Sequence, residues 1–265
     1  MKKLLVLLIV IMMIFIMSTV VMAEANSGSV YLDLAVGGSS KDSIDANGPI
    51  PLSPKEYVLD FSGKSGYTIG GDYLFGSFKA VLEYSRDSFE NTKFTTGAFL
   101  TGASKSQLDY TAGITLAKVG YRVIHNDQFS LDLMTGYLGL SVTDIDYNSG
   151  HMNYTNDGPM AALDFSWNSK KLELSGTYGT TIGANPSMKM LDKDLPGMFG
   201  DTVADKSSTL TAYRIKVLYM FWDNVGLSFS YSGLKSSLKY TYSSGEKVDD
   251  VADYSGAALG VTYKF

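Results

Sequence analysis

Short and long connections alternate without exception between the segments of this chain that could form strands. These segments lie at about 28–37, 66–75, 78–88, 108–124, 129–142, 159–167, 172–182, 209–221, 225–236 and 254–265. The short connections are turns of two or three residues, at 76–77, 125–127, 168–169 and 222–224, and the others are long and polar. Such regularity is typical of an up-and-down antiparallel barrel, which carries tight turns at one end and loops at the other.

The last segment shows the strand pattern most clearly. Ala257, Leu259, Val261, Tyr263 and Phe265 alternate with small or polar residues, which predicts a strand with one apolar face. Ending on an aromatic residue, it resembles the C-terminal signature of bacterial outer-membrane β-barrels. The resemblance implies an integral protein of the bacterial outer membrane, surrounded by lipid and lipopolysaccharide. It also implies that Tyr263 and Phe265 form the signal read by the barrel-assembly machinery.

The other end of the chain predicts export. A basic pair precedes an apolar run, Leu4–Met17, and small residues follow at Ala23 and Ala25. We therefore expect residues 1–25 to be a signal peptide, cleaved after Ala23 or Ala25, and residues 26–265 to be one barrel domain. Because the run approaches the ~20 apolar residues that span a bilayer, an uncleaved inner-membrane anchor is the alternative.

The strand count is predicted to be even. Two more segments, Glu56–Phe61 and Phe94–Leu100, look extended but are shorter than the ~9 to 11 residues of a spanning strand. The predicted fold is therefore all-β, a single antiparallel transmembrane barrel of about ten strands, or twelve if both segments cross. Barrels of this kind have short periplasmic turns and long extracellular loops, so both termini are expected in the periplasm.

The turns also predict which residues face each other, since opposed residues of an antiparallel pair share a face. The predicted apolar pairs are Phe75 with Phe78, Val123 with Phe129, Phe165 with Leu172, and Phe221 with Val225. On these faces Phe lies near the turns and Tyr near the loops, as in Tyr67 and Phe75, Tyr137 and Phe129, and Tyr213 and Phe221. This order predicts the two aromatic girdles of a membrane barrel. The inward core of a soluble sandwich is the alternative, but its aromatics would not sort by strand end.

The opposite faces would line the lumen. Seven charged residues are predicted to form a constriction there: Lys118, Arg122, Asp132, Asp164, Glu173, Arg214 and Lys216. In the predicted registers Asp164 opposes Glu173, with Arg214 and Lys216 as the available cations, and Asp132 faces Gly120. A salt-bridged plug that fills a narrow barrel is the alternative interpretation. Small residues on the strands after position 225 would face this charge, leaving room for a slim pore at most.

Composition excludes several functions. The chain has 27 acidic and 22 basic residues, a balance that argues against a nucleic-acid partner. It has no cysteine, and its acidic loops match no EF-hand spacing, so no metal or cofactor is expected. Ten strands is also the count of the omptin family of outer-membrane proteases, whose carboxylates and histidine gather at the extracellular rim. Asp144, Asp146 and His151 share one loop here, but the opposing loop, 89–107, contains no Asp, so no catalytic residue is predicted.

Together these features predict a non-enzymatic, narrow, porin-like channel for passive passage of small polar solutes. The first alternative is a closed structural barrel that displays its long loops as an adhesin or surface protein. The remote alternative is an outer-membrane protease or lipid hydrolase.

Overall fold

The computed structural model describes residues 26–47, 56–94, 109–147, 150–190, 193–194, 203–242 and 247–265. The predicted signal peptide lies outside these ranges. The regular elements in the described ranges are all β-strands. No helix long and apolar enough to cross a membrane is found among the described residues.

The strands follow the alternating segments of the sequence and extend most of them toward the long loops. They are β1 (Asn26–Asn47), β2 (Glu56–Phe75), β3 (Phe78–Phe94), β4 (Tyr110–His125), β5 (Phe129–Tyr147), β6 (Gly150–Ser169), β7 (Leu172–Thr181), β8 (Asn185–Met190), β9 (Lys193–Asp194), β10 (Val203–Met220), β11 (Val225–Tyr242) and β12 (Lys247–Lys264).

The sheet closes on itself. Each strand pairs antiparallel with its neighbour in the order β1, β2, β3, β4, β5, β6, β7, β10, β11 and β12, and β12 pairs with β1. The short strand β8 continues along β6 beyond the end of β7, and β9 pairs only with β8. The prediction of a ten-stranded barrel is therefore confirmed. The segment Glu56–Phe61 is the far end of β2, whereas residues 95–100 lie outside the described residues.

The last strand seals the barrel as its sequence pattern predicts. The backbone N–H of Gly28 donates to the carbonyl of Phe265, and that of Phe265 to the carbonyl of Gly28, both at 3.0 Å. A Cβ atom on Gly28 would lie 2.8 Å from the Phe265 ring, so glycine is needed where the terminal ring covers β1. The Phe265 ring also stacks on Tyr263, with 6.3 Å between centroids.

Two of the four predicted turn registers are confirmed. Phe75 pairs with Phe78 across a two-residue turn, in which Gly76 takes a positive φ of 57° that glycine adopts without strain. At the turn between β10 and β11, the N–H of Phe221 donates to the carbonyl of Val225 at 3.2 Å.

The predicted register of β4 with β5 is wrong by two residues. Asp132 pairs with Arg122 and not with Gly120, because the side chain of Asn126 organises the turn. Its Oδ1 accepts from the backbone N–H of Phe129 at 2.8 Å, which ties the turn to residues 126–129. Val123 then becomes a β-bulge without a partner on β5, and the predicted pair of Val123 with Phe129 does not form.

The predicted register of β6 with β7 is also wrong. Ser169 pairs with Leu172, so the turn consists of residues 170 and 171, and Phe165 lies opposite Gly176 and not Leu172. The first turn residue, Lys170, adopts a positive φ of 46°, which the sequence did not signal because lysine rarely occupies this region. Shifts by an even number of residues leave every side chain on its predicted face.

The outward face carries an apolar belt between two rows of aromatic rings. Leu32, Leu34, Val119 and Leu259 in this belt are each about half exposed. Exposed rings near the turns include Phe75, Phe78, Tyr121 and Trp167, and those farther toward the loops include Tyr67, Tyr84, Tyr137, Tyr213 and Tyr231. The predicted sorting of aromatics by strand end is confirmed. The end with the short turns and both termini is called the turn end below, and the opposite end the loop end.

Candidate functional site

The lumen near the turn end contains a layer of charged side chains, called the charged layer below. Among the described residues it comprises Lys79, Lys118, Arg122, Arg214, Lys216, Lys264, Asp33, Asp72, Glu83, Asp132, Asp164 and Glu173. The seven residues predicted from the sequence all belong to it. Basic and acidic side chains are equal in number within the layer, so its formal charge cancels, as buried charge requires.

Two opposed carboxylates form one half of the charged layer. Asp132 on β5 lies directly across from Asp164 on β6, and their exposed fractions are only 1% and 3%. Lys79 joins them, with its Nζ 3.3 Å from a carboxylate oxygen of Asp132 and 3.2 Å from one of Asp164. A bridging cation relieves the repulsion that two buried carboxylates on neighbouring strands would otherwise exert.

Each of these carboxylates has a second cation. The Nε of Arg122 donates to Asp132 at 3.0 Å. Lys118, itself buried, donates to Asp164 and to the hydroxyl of Thr177, the latter at 3.0 Å. The hydroxyl of Thr177 donates in turn to Asp164 at 2.9 Å. The cluster is therefore fully paired.

Arg214 holds the other half together across the lumen. Its guanidinium binds the carboxylates of Asp33 on β1 and Glu83 on β3, neither of which is on a strand adjacent to β10. Asp33 has no exposed surface and also accepts from the hydroxyls of Ser228 at 2.9 Å and Ser230 at 3.3 Å. Because Asp33 forms no other salt bridge in the described structure, its burial depends on Arg214.

The predicted carboxylate pair and the cation predicted to relieve it are both wrong, and one central residue was missed. Glu173 does not face Asp164; it binds Lys264, because the turn between β6 and β7 comes later than predicted. Arg214 forms salt bridges with Asp33 and Glu83, and not with Glu173 or Asp164. Asp33 was absent from the predicted set, although its position between outward Leu32 and Leu34 would have placed it in the lumen.

Lys216 differs from the other cations of the layer, because it forms no salt bridge with a described carboxylate. Its Nζ donates to the hydroxyl of Thr262 at 2.9 Å and lies 3.9 Å from the centroid of the Tyr31 ring. A cation–π contact is worth ~0.5 to 2 kcal/mol and supplies no counter-charge. Lys216 is therefore the described lumen cation best able to bind an added anion.

An apolar cluster fills much of the lumen nearer the loop end. Leu138, Leu210 and Leu234 are at most 2% exposed, and Phe61 and Phe89 contact the ring of Tyr110, with centroids 4.8 and 5.1 Å away. These residues occupy the inward positions of their strands, and the residues that alternate with them face outward. The lumen therefore changes from charged to apolar along the barrel axis.

A cavity of about 470 Å³ lies inside the barrel and extends from the turn end, at Ser27 and Phe265, past the charged layer to the apolar cluster. Lys118, Arg214 and Lys216 line one part of it, and Phe89 and Leu234 line another. Its volume is within the ~300 to 1,000 Å³ of small-molecule sites. The cavity thus offers both cationic and apolar contacts.

Beyond the apolar belt, two half-buried carboxyl groups lie close together on the inward face near the loop end. Asp42 on β1 pairs with Ala252 on β12, two residues from Asp250. Burial raises the pKa of both carboxyls, and the charge of Asp250 raises the pKa of Asp42 further. Each carboxyl therefore binds its proton more tightly than it would in water.

We expect Asp42→Asn to stabilise the barrel at neutral pH. Because the pKa of each carboxyl is higher folded than unfolded, their stabilising contribution is complete below the unfolded pKa of ~3.9. It is lost as pH rises through the folded pKa, by up to ~1.4 kcal/mol per carboxyl for each pH unit. Urea unfolding from about pH 4 to about pH 8 measures this slope, which the variant should flatten. Asp253→Asn, at an exposed position of β12, is the control, and a variant that keeps the wild-type slope would contradict the prediction.

The barrel is closed, its exposed apolar belt lies between two rows of aromatic rings, and its charges lie inside. These features define an integral β-barrel protein of the bacterial outer membrane. No protein-family model and no curated protein sequence matches the chain.

The chain is similar to several solved structures of outer-membrane proteins. The outer membrane protease OmpT from Escherichia coli matches with a TM-score of 0.56 at 12% sequence identity, over 90% of this chain and 97% of OmpT. The outer membrane protein OprG from Pseudomonas aeruginosa matches with a TM-score of 0.35 at 13% identity, over 90% and 96% of the two chains. The Pseudomonas putida toluene transporter TodX matches with a TM-score of 0.34 at 8% identity, over 91% and 90%. At these identities the likeness to OmpT is one of fold alone.

Proposed function

We propose that the protein is a narrow, non-enzymatic channel through which small solutes cross the outer membrane passively, with its loops outside the cell and both termini in the periplasm. The observation that carries this proposal is the cavity of about 470 Å³, which extends from the turn end past the charged layer to the apolar cluster. In a barrel built only as a scaffold, this space would be expected to be packed with side chains. The charged layer would act as the selective constriction of the channel.

Planar-bilayer recording of the refolded protein tests this function. We expect small, discrete current steps, and Lys216→Ser should shift ion selectivity toward cations, because Lys216 is the cation without a carboxylate partner in the described lumen. Lys235→Ser, at an exposed position of β11, is the matched control and should leave selectivity unchanged. Absence of discrete steps at every voltage would overturn the channel.

A closed barrel that displays its loops as a surface protein is the second candidate. The paired charges of the layer and the apolar cluster above it favour this function, since both narrow the axial path. Binding of the protein to host surfaces, with and without its longest loops, would distinguish the two. A protease or hydrolase is not proposed. Asp146 and His151 are backbone partners at the tips of β5 and β6, but the likeness to OmpT is of fold only.

A further inference from the structure

The pairing of β1 with β2 is interrupted in the middle of both strands. The two strands pair from Asn26 and Phe75 up to Leu34 and Tyr67, and again from Ser39 and Ser62 onward. Between these points residues 35–38 of β1 have no partners among residues 63–66 of β2. Both strands also have a β-bulge at this height, toward their other neighbours, at Val36 and Lys64. The barrel wall therefore lacks strand-to-strand pairing between β1 and β2 at this height, and this unpaired stretch is called the gap below.

Glycines shape this gap. A Cβ atom on Gly37 would meet no heavy atom within 4 Å, so there is open space beside it. A Cβ atom on Gly63 would lie 3.1 Å from the backbone of Gly38, so the strands come close again at that point. The gap is thus bounded by close backbone contact on the loop side and by the pair of Leu34 with Tyr67 on the turn side.

The gap lies at the edge of the apolar belt. On its turn side Leu34 and Val36 are 56% and 59% exposed, and Tyr67 belongs to the row of aromatic rings nearer the loop end. On its loop side the outward residues are Ser39 and Ser62. This change from apolar to polar marks the boundary between hydrocarbon and water at the loop end.

The internal cavity reaches the gap. Its lining includes Val36, Gly37 and Gly38 of β1 and Gly63, Lys64 and Ser65 of β2, together with Lys216 and Phe89 deeper inside. A molecule entering between β1 and β2 would thus meet an apolar wall and a cation that lacks a carboxylate partner in the described structure. These are the contacts that a small acid with an apolar tail requires.

We propose that the gap between β1 and β2 is a lateral opening that admits small amphipathic carboxylic acids from the membrane boundary into the cavity, where Lys216 binds the carboxylate. The apolar tail lies against the cluster that includes Phe89 and Leu234. This site goes beyond the proposed channel, since binding from the side requires no ion current along the barrel axis. If the protein shows no current steps but binds the acid, the proposed channel function is wrong and the proposed binding site still holds.

Octanoate is the probe, titrated calorimetrically into the refolded protein in non-ionic detergent, with octylamine as the ligand of equal length and opposite charge. We expect saturable binding of octanoate and none of octylamine. Lys216→Met should weaken octanoate binding at least ~10-fold, as expected for loss of a charge-assisted hydrogen bond. No octanoate binding by the wild type, or equal binding of octylamine, would overturn the proposal.

The route is tested with cysteine pairs, because the chain has no cysteine of its own. Oxidation of V36C/S65C, at opposite positions of the unpaired stretch, should close the gap and abolish octanoate binding, and a reductant should restore it. S39C/S62C joins residues that are already paired just above the gap and should not affect binding. Gly37→Phe, which fills the open space beside β1, is a second block that needs no disulfide. Undiminished binding with the gap stapled or filled would refute the lateral route.

Discussion

Replacing Arg214 with methionine is expected to lower the free energy of unfolding of the barrel by about 3–5 kcal/mol. Asp33 is fully buried and has Arg214 as its cation in the described lumen, so the variant leaves a buried carboxylate with only the hydroxyls of Ser228 and Ser230. Glu83 loses the same partner. Breaking a buried ion pair from one side is costly because the remaining charge stays desolvated.

Urea unfolding in phospholipid vesicles, followed by tryptophan fluorescence, measures this effect. Lys235→Met, at an exposed site on the neighbouring strand β11, is the control and should change stability by less than ~0.5 kcal/mol. Combining Arg214→Met with Asp33→Asn and Glu83→Gln should recover much of the loss, since no unpaired charge then remains. A single variant as stable as the control would show that water reaches Asp33 and that the charged layer is not sealed.

Lys79→Met is expected to have the second large effect, a loss of about 3 kcal/mol or more. Lys79 is the cation that contacts both Asp132 and Asp164, which oppose each other directly on β5 and β6. Without it the two carboxylates keep Arg122 and Lys118 but repel each other at close range. Unlike the loss caused by Arg214→Met, this loss comes mainly from repulsion between like charges.

The same unfolding experiment at several pH values distinguishes repulsion from lost packing. The deficit of Lys79→Met should shrink on acidification, because protonation of one aspartate removes the repulsion. Asp132→Asn in the same background should restore stability in a similar way. Lys171→Met, in the exposed turn between β6 and β7, is the matched control. A deficit that is equal at acid and neutral pH would assign the role of Lys79 to the packing of its alkyl chain.

The faces of the strands could be predicted well from sequence because side chains alternate with a period of two. This period placed Lys118 and Asp164 in the lumen and Phe75 and Leu259 on the outer surface, as the structure has them. Asp33 obeys the same period, since its neighbours in β1 face outward. The alternation in β1 was therefore sufficient to place Asp33 in the lumen, although Asp33 was not among the predicted residues.

Registers were less predictable, for a physical reason. Moving a strand by two or four residues keeps every side chain on its face, so the apolar pattern does not distinguish such registers. The true ones depend on local features that alternation does not report. These are the Asn126 side chain that ties one turn and the left-handed backbone of Lys170 in another.

The class of architecture follows from the amino-acid sequence alone. This class is a closed ten-stranded barrel with an apolar outside and a charged inside, which the last strand completes. Those properties depend on local period, segment length and turn length. Which charges meet was decided only by the tertiary structure, because Arg214, Asp33 and Glu83 come from strands that are not adjacent. The gap between β1 and β2 also depends on the tertiary structure. Its two bulges lie at the same height only because of the register in which β1 and β2 pair.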